Sequence, residues 1–160
     1  MRYIVDDKRL SKQAKDYLSQ IHKTDALINR LVNTVATLRS SITSIRYELK
    51  PDRVQTSGSK RSLEETFCKI DELESAINTR IDELLTLKQT TFNMLKRIPD
   101  LDQQNILIAR YIQNLKWDAI ADEMGHEIRW VYKTHSKALA AFADSNGQLL
   151  AIYRQTEKGI

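Results

Sequence analysis

Arg129, Lys133 and Lys137 follow one another at four-residue intervals, with Ser136 between the last two. Setting Val131 at 0° and advancing 100° per residue puts Arg129, Lys133, Ser136 and Ala140 within about 40° of the opposite direction, with Lys137 close by. Val131, His135, Ala138, Leu139 and Phe142 fill the other arc, while Trp130 and Tyr132 stand at the two sides. From Ile128 to Ala143 the chain carries three cations and no acid. A helix of that make-up buries one side and offers the other to an anion. Lys and Arg supply affinity for a phosphate-lined groove, and Arg, Glu and Ser address base edges. Glu127 stands just before this helix, Trp130 stands where it can meet a backbone, a base or the core, and Lys116 and Trp117 open the preceding segment. A lysine at a helix start can approach a phosphate beside the unpaired amides there.

Other chemistry finds little support. His126 and His135 lie nine residues apart with no cysteine partner, and Glu123 with His126 offers one acid and one imidazole, so no metal-ligand set is expected. No acid–base pair, nucleophile with its base, or phosphate-cradling glycine loop appears at usable spacing, so no enzyme, cofactor or small-molecule substrate is expected. His135 falls in the apolar arc and is read as a satisfied, partly buried imidazole. Cys68, the lone cysteine, is read as a small buried side chain on a helix, in keeping with a reducing compartment.

Helices carry these residues. The 160 residues include four Gly and two Pro, against roughly 19 at average usage, which disfavours folds rich in hairpins and bulges. Pro51, Gly58, Pro99, Gly125, Gly147 and Gly159 divide the chain into long breaker-free windows. In the first, Leu10, Ala14, Tyr17, Ile21, Thr24, Ile28, Leu31, Val35, Leu38, Ile42, Ile45 and Leu49 alternate steps of four and three, a heptad seam. In the next, Leu63, Phe67, Ile70, Ile77, Ile81, Leu84, Leu95 and Ile98 keep the same spacing around Glu74, Lys88 and Thr91, with Leu73, Leu85, Leu87 and Phe92 widening the stripe toward a further neighbour. The expected architecture is all-α: an antiparallel coiled-coil hairpin over 1–98, with helices at about 8–49 and 62–97 and a polar loop at 50–61. Ser62 and Glu65 have capping-box spacing at the second helix's start.

Pro99 then hands over to a second domain, 99–143. Asp100 with Gln103 three residues later reads as a capped helix start, running to about Gln113. A short helix from Trp117 to Met124, a turn Gly125-His126-Glu127 and the basic helix 128–143 follow, the signature of a helix-turn-helix. Residues 144–160 read as a C-terminal tail with a short helix at Gln148 to Arg154. Residues 98–143 hold five Lys/Arg and six Asp/Glu, so the overall +4 comes from the first fifty residues, with ten Lys/Arg and five Asp/Glu. The start of the chain lacks the apolar stretch of a secretory signal and no segment suits a membrane span, so a cytoplasmic protein is expected.

The string Ile98-Pro99, Ile106-Leu107, Ala109-Arg110-Tyr111-Ile112, Trp117, Ile120-Ala121-Asp122-Glu123-Met124-Gly125, Val131-Tyr132-Lys133 and Lys137-Ala138-Leu139 resembles sigma factor region 4, the helix-turn-helix that reads promoter DNA. The whole arrangement, including Val54-Gln55-Thr56-Ser57 and Arg129-Trp130-Val131-Tyr132-Lys133, is similar to small transcription regulators of Gram-positive phages and integrated elements. That resemblance implies a regulator of bacteriophage type in a bacterial host cell, bound to double-stranded DNA. It does not extend to region 2, which opens promoters. Glu127 and Ile128 stand where region 4 commonly has Ser or Thr, so no base preference carries over. A homodimer reading paired half-sites suits a regulator of this size, with the hairpin dimerising or contacting host RNA polymerase. The alternative is a non-enzymatic adaptor, small terminase-like or anti-sigma-like, whose hairpin holds a protein partner. Its mark is the wide apolar stripe together with acidic Asp118, Asp122 and Glu123.

Overall fold

A computed structural model describes residues 2–48 and 57–158, and these are helical almost throughout, with no strand among them. Scarce breakers explain this directly, since nothing in the long windows interrupts the i to i−4 ladder. The elements are α1 (Arg2–Glu48), α2 (Ser57–Leu95), α3 (Leu101–Leu107) running into a π-helical turn (Ile108–Ile112), α4 (Trp117–Met124), α5 (Ile128–Ser145) and α6 (Gly147–Lys158). None of the helices among the described residues is long and apolar enough to cross a membrane.

Several boundaries differ from the sequence expectation. α1 starts at Arg2 rather than near residue 8, and α2 at Ser57 rather than 62. The Ser62–Glu65 cap is overridden because Gly58 costs a helix only about 1 kcal/mol, and an Arg61–Glu65 ion pair of 3.3 Å supports the first turns. Of the expected loop 50–61, residues 50–56 lie outside the described residues, as do Val54, Gln55 and Thr56 of the resemblance. Cys68 is exposed, not buried, because it sits two residues, about 200°, around α2 from buried Ile70.

The chain divides into two compact units, neither of which ends at residue 98. The first joins Met1–Lys23 to Thr86–Ile160. Its larger cluster brings Ala14, Tyr17 and Leu18 of α1 and Met94 and Leu95 of α2 together with Ile98, Leu107, Tyr111, Ala138, Leu139, Phe142, Ala143 and Leu150. The ends of both long helices therefore belong to the core that carries α5, which is why a division at Pro99 does not hold. Residues 147–158 are no tail either: Leu150 is buried in that core, and Tyr153 meets Tyr17 edge-on at 5.1 Å, while Tyr17 stacks on Phe142 at 6.1 Å. A smaller cluster, Ile106, Ala109, Ile120, Ala121 and Val131, fastens α3 and α4 to α5. Asp100 caps α3 as its spacing predicts, its Oδ1 accepting the Gln103 amide at 3.1 Å.

The second unit is Thr24–Leu85. Val35 and Ile42 of α1 cluster there with Ile70 of α2, with Leu38, Leu63, Leu73 and Ile77 packed around them. Every seam position of α1 whose side chain is described is buried or half-buried, and an ion pair joins Arg39 to Glu74. Ile45 and Leu49 of that seam fall outside the described side chains. On α2 the expected seam is only partly realised, for Phe67 and Ile81 remain exposed.

Candidate nucleic-acid interface

α4 ends at Gly125, whose φ of 66° and ψ of 31° put it in the left-handed region that glycine enters without strain. Its amide donates to the Asp122 carbonyl at 3.2 Å and the His126 amide donates to the Ala121 carbonyl at 3.1 Å, the paired bonds of a Schellman cap. Glu127 is extended, and its carbonyl accepts the Trp130 and Val131 amides at 2.9 and 3.2 Å, starting α5 at once. A three-residue turn thus redirects the chain between two helices that pack through Ile120, Ala121 and Val131.

That packing decides which side of α5 is left free. Val131, His135, Ala138, Leu139, Phe142 and Ala143 are buried, and Arg129, Tyr132, Lys133, Ser136 and Lys137 are exposed at the spacing of one helix side. None of the ion pairs among the described residues involves Arg129, Lys133 or Lys137. Ser136 donates its hydroxyl hydrogen to the Tyr132 carbonyl at 3.2 Å, so the oxygen's lone pairs point outward as acceptors. Lys116 and Glu127 are exposed at the residues preceding α4 and α5, and neither side chain caps its helix.

The two tryptophans are half-buried. The Arg110 guanidinium lies 4.6 Å from the Trp117 ring centre, His135 meets the ring edge-on at 4.8 Å and Tyr132 tilts against it at 5.2 Å. Arg110 also donates to the Leu115 carbonyl at 2.8 Å. Trp117 is therefore a bracket at the start of α4 that steadies Tyr132. Trp130 stacks on His126 at 3.7 Å, closing the turn from outside.

The π-helical turn sets up this arrangement. The Gln113 amide reaches back to the Ile108 carbonyl at 3.0 Å and the Leu115 amide to the Ala109 carbonyl at 2.9 Å, with Asn114 at a φ of 60° between them. The widened turn is compatible with Tyr111 in the core and Arg110 over Trp117, and such turns recur at functional positions. Beneath α5, Tyr111 Oη and His135 Nε2 are 3.1 Å apart. Burial, then Lys15 and Arg110, lowers the His135 pKa to about 4, and burial, opposed by Arg110, raises that of Tyr111 to about 12. Both are neutral near pH 7, so the support of the basic side carries no charge of its own at that point.

Of the residues singled out from sequence, Arg129, Lys133, Ser136 and Lys137 share one exposed side, Lys116 and Glu127 are exposed before two helix starts, and Trp117 and Trp130 are half-buried brackets. Tyr132 and Arg110 are not among them. Tyr132 lies at the flank of the helical projection, and in the structure it is exposed with the cations while packing against Trp117. Arg110 stands in the string that resembles region 4, but nothing in the sequence places it over Trp117, because that position depends on the π-helical turn. Compared with known proteins, the chain matches no family model, no curated protein and no solved structure.

Proposed function

We propose that the chain is a sequence-specific, DNA-binding transcription regulator of phage type. In this reading α4, the Gly125–Glu127 turn and α5 form a helix-turn-helix, α5 enters the major groove, and α1 with α2 form an antiparallel hairpin that pairs two copies or contacts RNA polymerase. One observation carries it: α5 exposes Arg129, Lys133 and Lys137 on a single side, unpaired with any acid among the described residues, while its other side is locked into the core. The resemblance of residues 98–142 to sigma factor region 4 supports the same reading. Because residues 98–143 sum to −1, attraction depends on segregation of charge onto α5 and not on the domain's total.

The adaptor reading has its own support in the exposed Phe67, Ile81 and Leu85 of α2. Binding of the full chain to mixed genomic DNA fragments at two salt concentrations separates the two. A DNA reader loses affinity with salt, with a slope near −0.9 per phosphate contact. Replacing Arg129 and Lys133 with Ala removes about 1–3 kcal/mol for each base-reading side chain and lowers the slope by about one for each phosphate contact. Absent or salt-insensitive binding overturns the DNA reading.

A further inference from the structure

The heptad column Phe67, Glu74, Ile81 on α2 reads as part of the seam with α1, yet Phe67 is 44% exposed and Ile81 39%. Leu85, one turn beyond Ile81, is 61% exposed. The column that is buried or half-buried is its neighbour, Leu63, Ile70, Ile77 and Leu84. α2 therefore carries two adjacent columns, and among the described residues only one has its apolar side chains covered. Val32 of α1, 46% exposed, lines with Ala36, Arg39, Glu74, Ile77 and Asn78 a groove of about 380 Å³. Ile81 and Leu85 lie seven residues beyond Glu74 and Asn78, and Phe67 seven before Glu74, so the apolar strip runs past both ends of the groove on one side of the unit.

We propose that this side of Thr24–Leu85 is covered by the same side of a second copy, giving a four-helix contact about a two-fold axis beside Arg39 and Glu74. The inference rests on the paired-copy part of the reading above and supplies its surface. Charge selects the occupant. The two charged side chains lining the groove are one cation and one anion, already joined in an ion pair and each still substantially exposed. A two-fold axis running parallel to the helices, between α1 and α2, sets each Arg39 beside the other copy's Glu74, so the surface complements itself, as an isologous contact requires. A partner of single charge sign leaves one of the two opposed. The size is also adequate: residues 67–85 span roughly 27 Å of helix, and two helices side by side make a strip about 20 Å wide, on the order of 1,100 Å² in total, the lower edge of a specific interface.

Sedimentation equilibrium of the full chain without DNA tests this. The chain sediments as a reversible dimer, and Ile81→Glu with Leu85→Glu weakens self-association roughly tenfold or more while leaving the helical circular dichroism intact, because both side chains are exposed. Leu27→Glu, on an exposed position about 140° around α1 from Val32, leaves the dimer unchanged. Arg39→Glu alone and Glu74→Arg alone weaken the dimer, and the two together restore it. A wild-type monomer throughout the concentration range overturns the proposal, as does a dimer indifferent to the Ile81 and Leu85 changes or equally sensitive at Leu27. A dimer that binds no DNA overturns the DNA reading and leaves this contact standing. A DNA-binding monomer does the reverse.

Discussion

Tyr111 and His135 meet through Oη and Nε2 at 3.1 Å, with their rings nearly parallel at 5.9 Å, and His22 also stacks on Tyr111 at 5.5 Å. His22 Nε2 lies 2.8 Å from the Arg110 carbonyl, so the ring row ties α1 to the π-helical turn and to α5. Placing α5 thus depends on a polar contact inside an apolar core.

Burial of the two rings makes stability depend on pH at both ends. His135 is held to a pKa of about 4 in the folded chain, against 6.5 when exposed, first by burial and then by Lys15 and Arg110. Below pH 6.5 the unfolded chain takes up a proton that the folded chain refuses, so stability falls as pH drops from about 6.5 to 4, by roughly 2–3 kcal/mol in all. Tyr111, raised from 10.0 to about 12, gives the opposite limb: the unfolded chain loses its proton first, and stability falls as pH rises from 10 toward 12. Urea unfolding across pH, with His135→Gln and Tyr111→Phe, checks each. The difference between wild type and His135→Gln shrinks steadily below pH 6.5. A constant difference removes His135 as the cause.

Gly125 allows a cleaner backbone test. A Cβ built there meets no atom within 4 Å, so Gly125→Ala suffers only the left-handed φ of 66°. It costs about 1–2 kcal/mol, and Gly125→Asn costs less because asparagine tolerates that region. Denaturant midpoints of the two variants measure this, and equal losses mean that the turn relaxes into another conformation.

Much of this is legible from sequence because it depends on local rules. Scarcity of Gly and Pro predicts helices, Asp100 and Gln103 predict the cap on α3, and Gly125 predicts the turn before α5. The exposed Arg129, Lys133, Ser136 and Lys137 follow from the 100° helical step alone. Non-local choices are not legible. Heptad spacing marks both apolar columns of α2 without saying which one α1 takes, so Phe67 and Ile81 are expected in a seam they do not enter. Leu150 and Tyr153 sit in too short and polar a stretch to reveal that α6 completes the core. The π-helical turn, and with it the place of Arg110, depends on where Tyr111 finds His22 and His135.

Glu127 and Asp100 occupy equivalent positions before α5 and α3, but only Asp100 accepts a bond from the third amide of its helix. Glu127→Asp shortens the side chain without changing charge and lets the carboxylate reach the Trp130 amide. It stabilises the chain by about 0.5–1 kcal/mol. Thermal unfolding measures the gain, and no rise in Tm shows that the His126–Trp130 stack holds the turn where a cap cannot form.

Asn146 is the buried polar joint between the end of α5 and the end of α2. Its Nδ2 donates to the Met94 carbonyl at 3.2 Å and to the Phe142 carbonyl at 3.0 Å, while Oδ1 has no hydrogen-bond partner among the described residues. Asn146→Ala removes both donors and leaves Oδ1 out of the account, so it costs about 1–3 kcal/mol. Asn146→Asp keeps the shape but turns an acceptor toward two carbonyls and buries a charge, so it costs more than Ala at neutral pH. Burial raises the new carboxyl's pKa. Its neutral form regains one donor, so the gap between the Asn146→Asp and Asn146→Ala variants narrows as pH falls toward the folded-state pKa and below. Urea unfolding of both variants at pH 7 and pH 5 measures that gap, and a gap independent of pH means that the introduced carboxylate leaves the joint and reaches water.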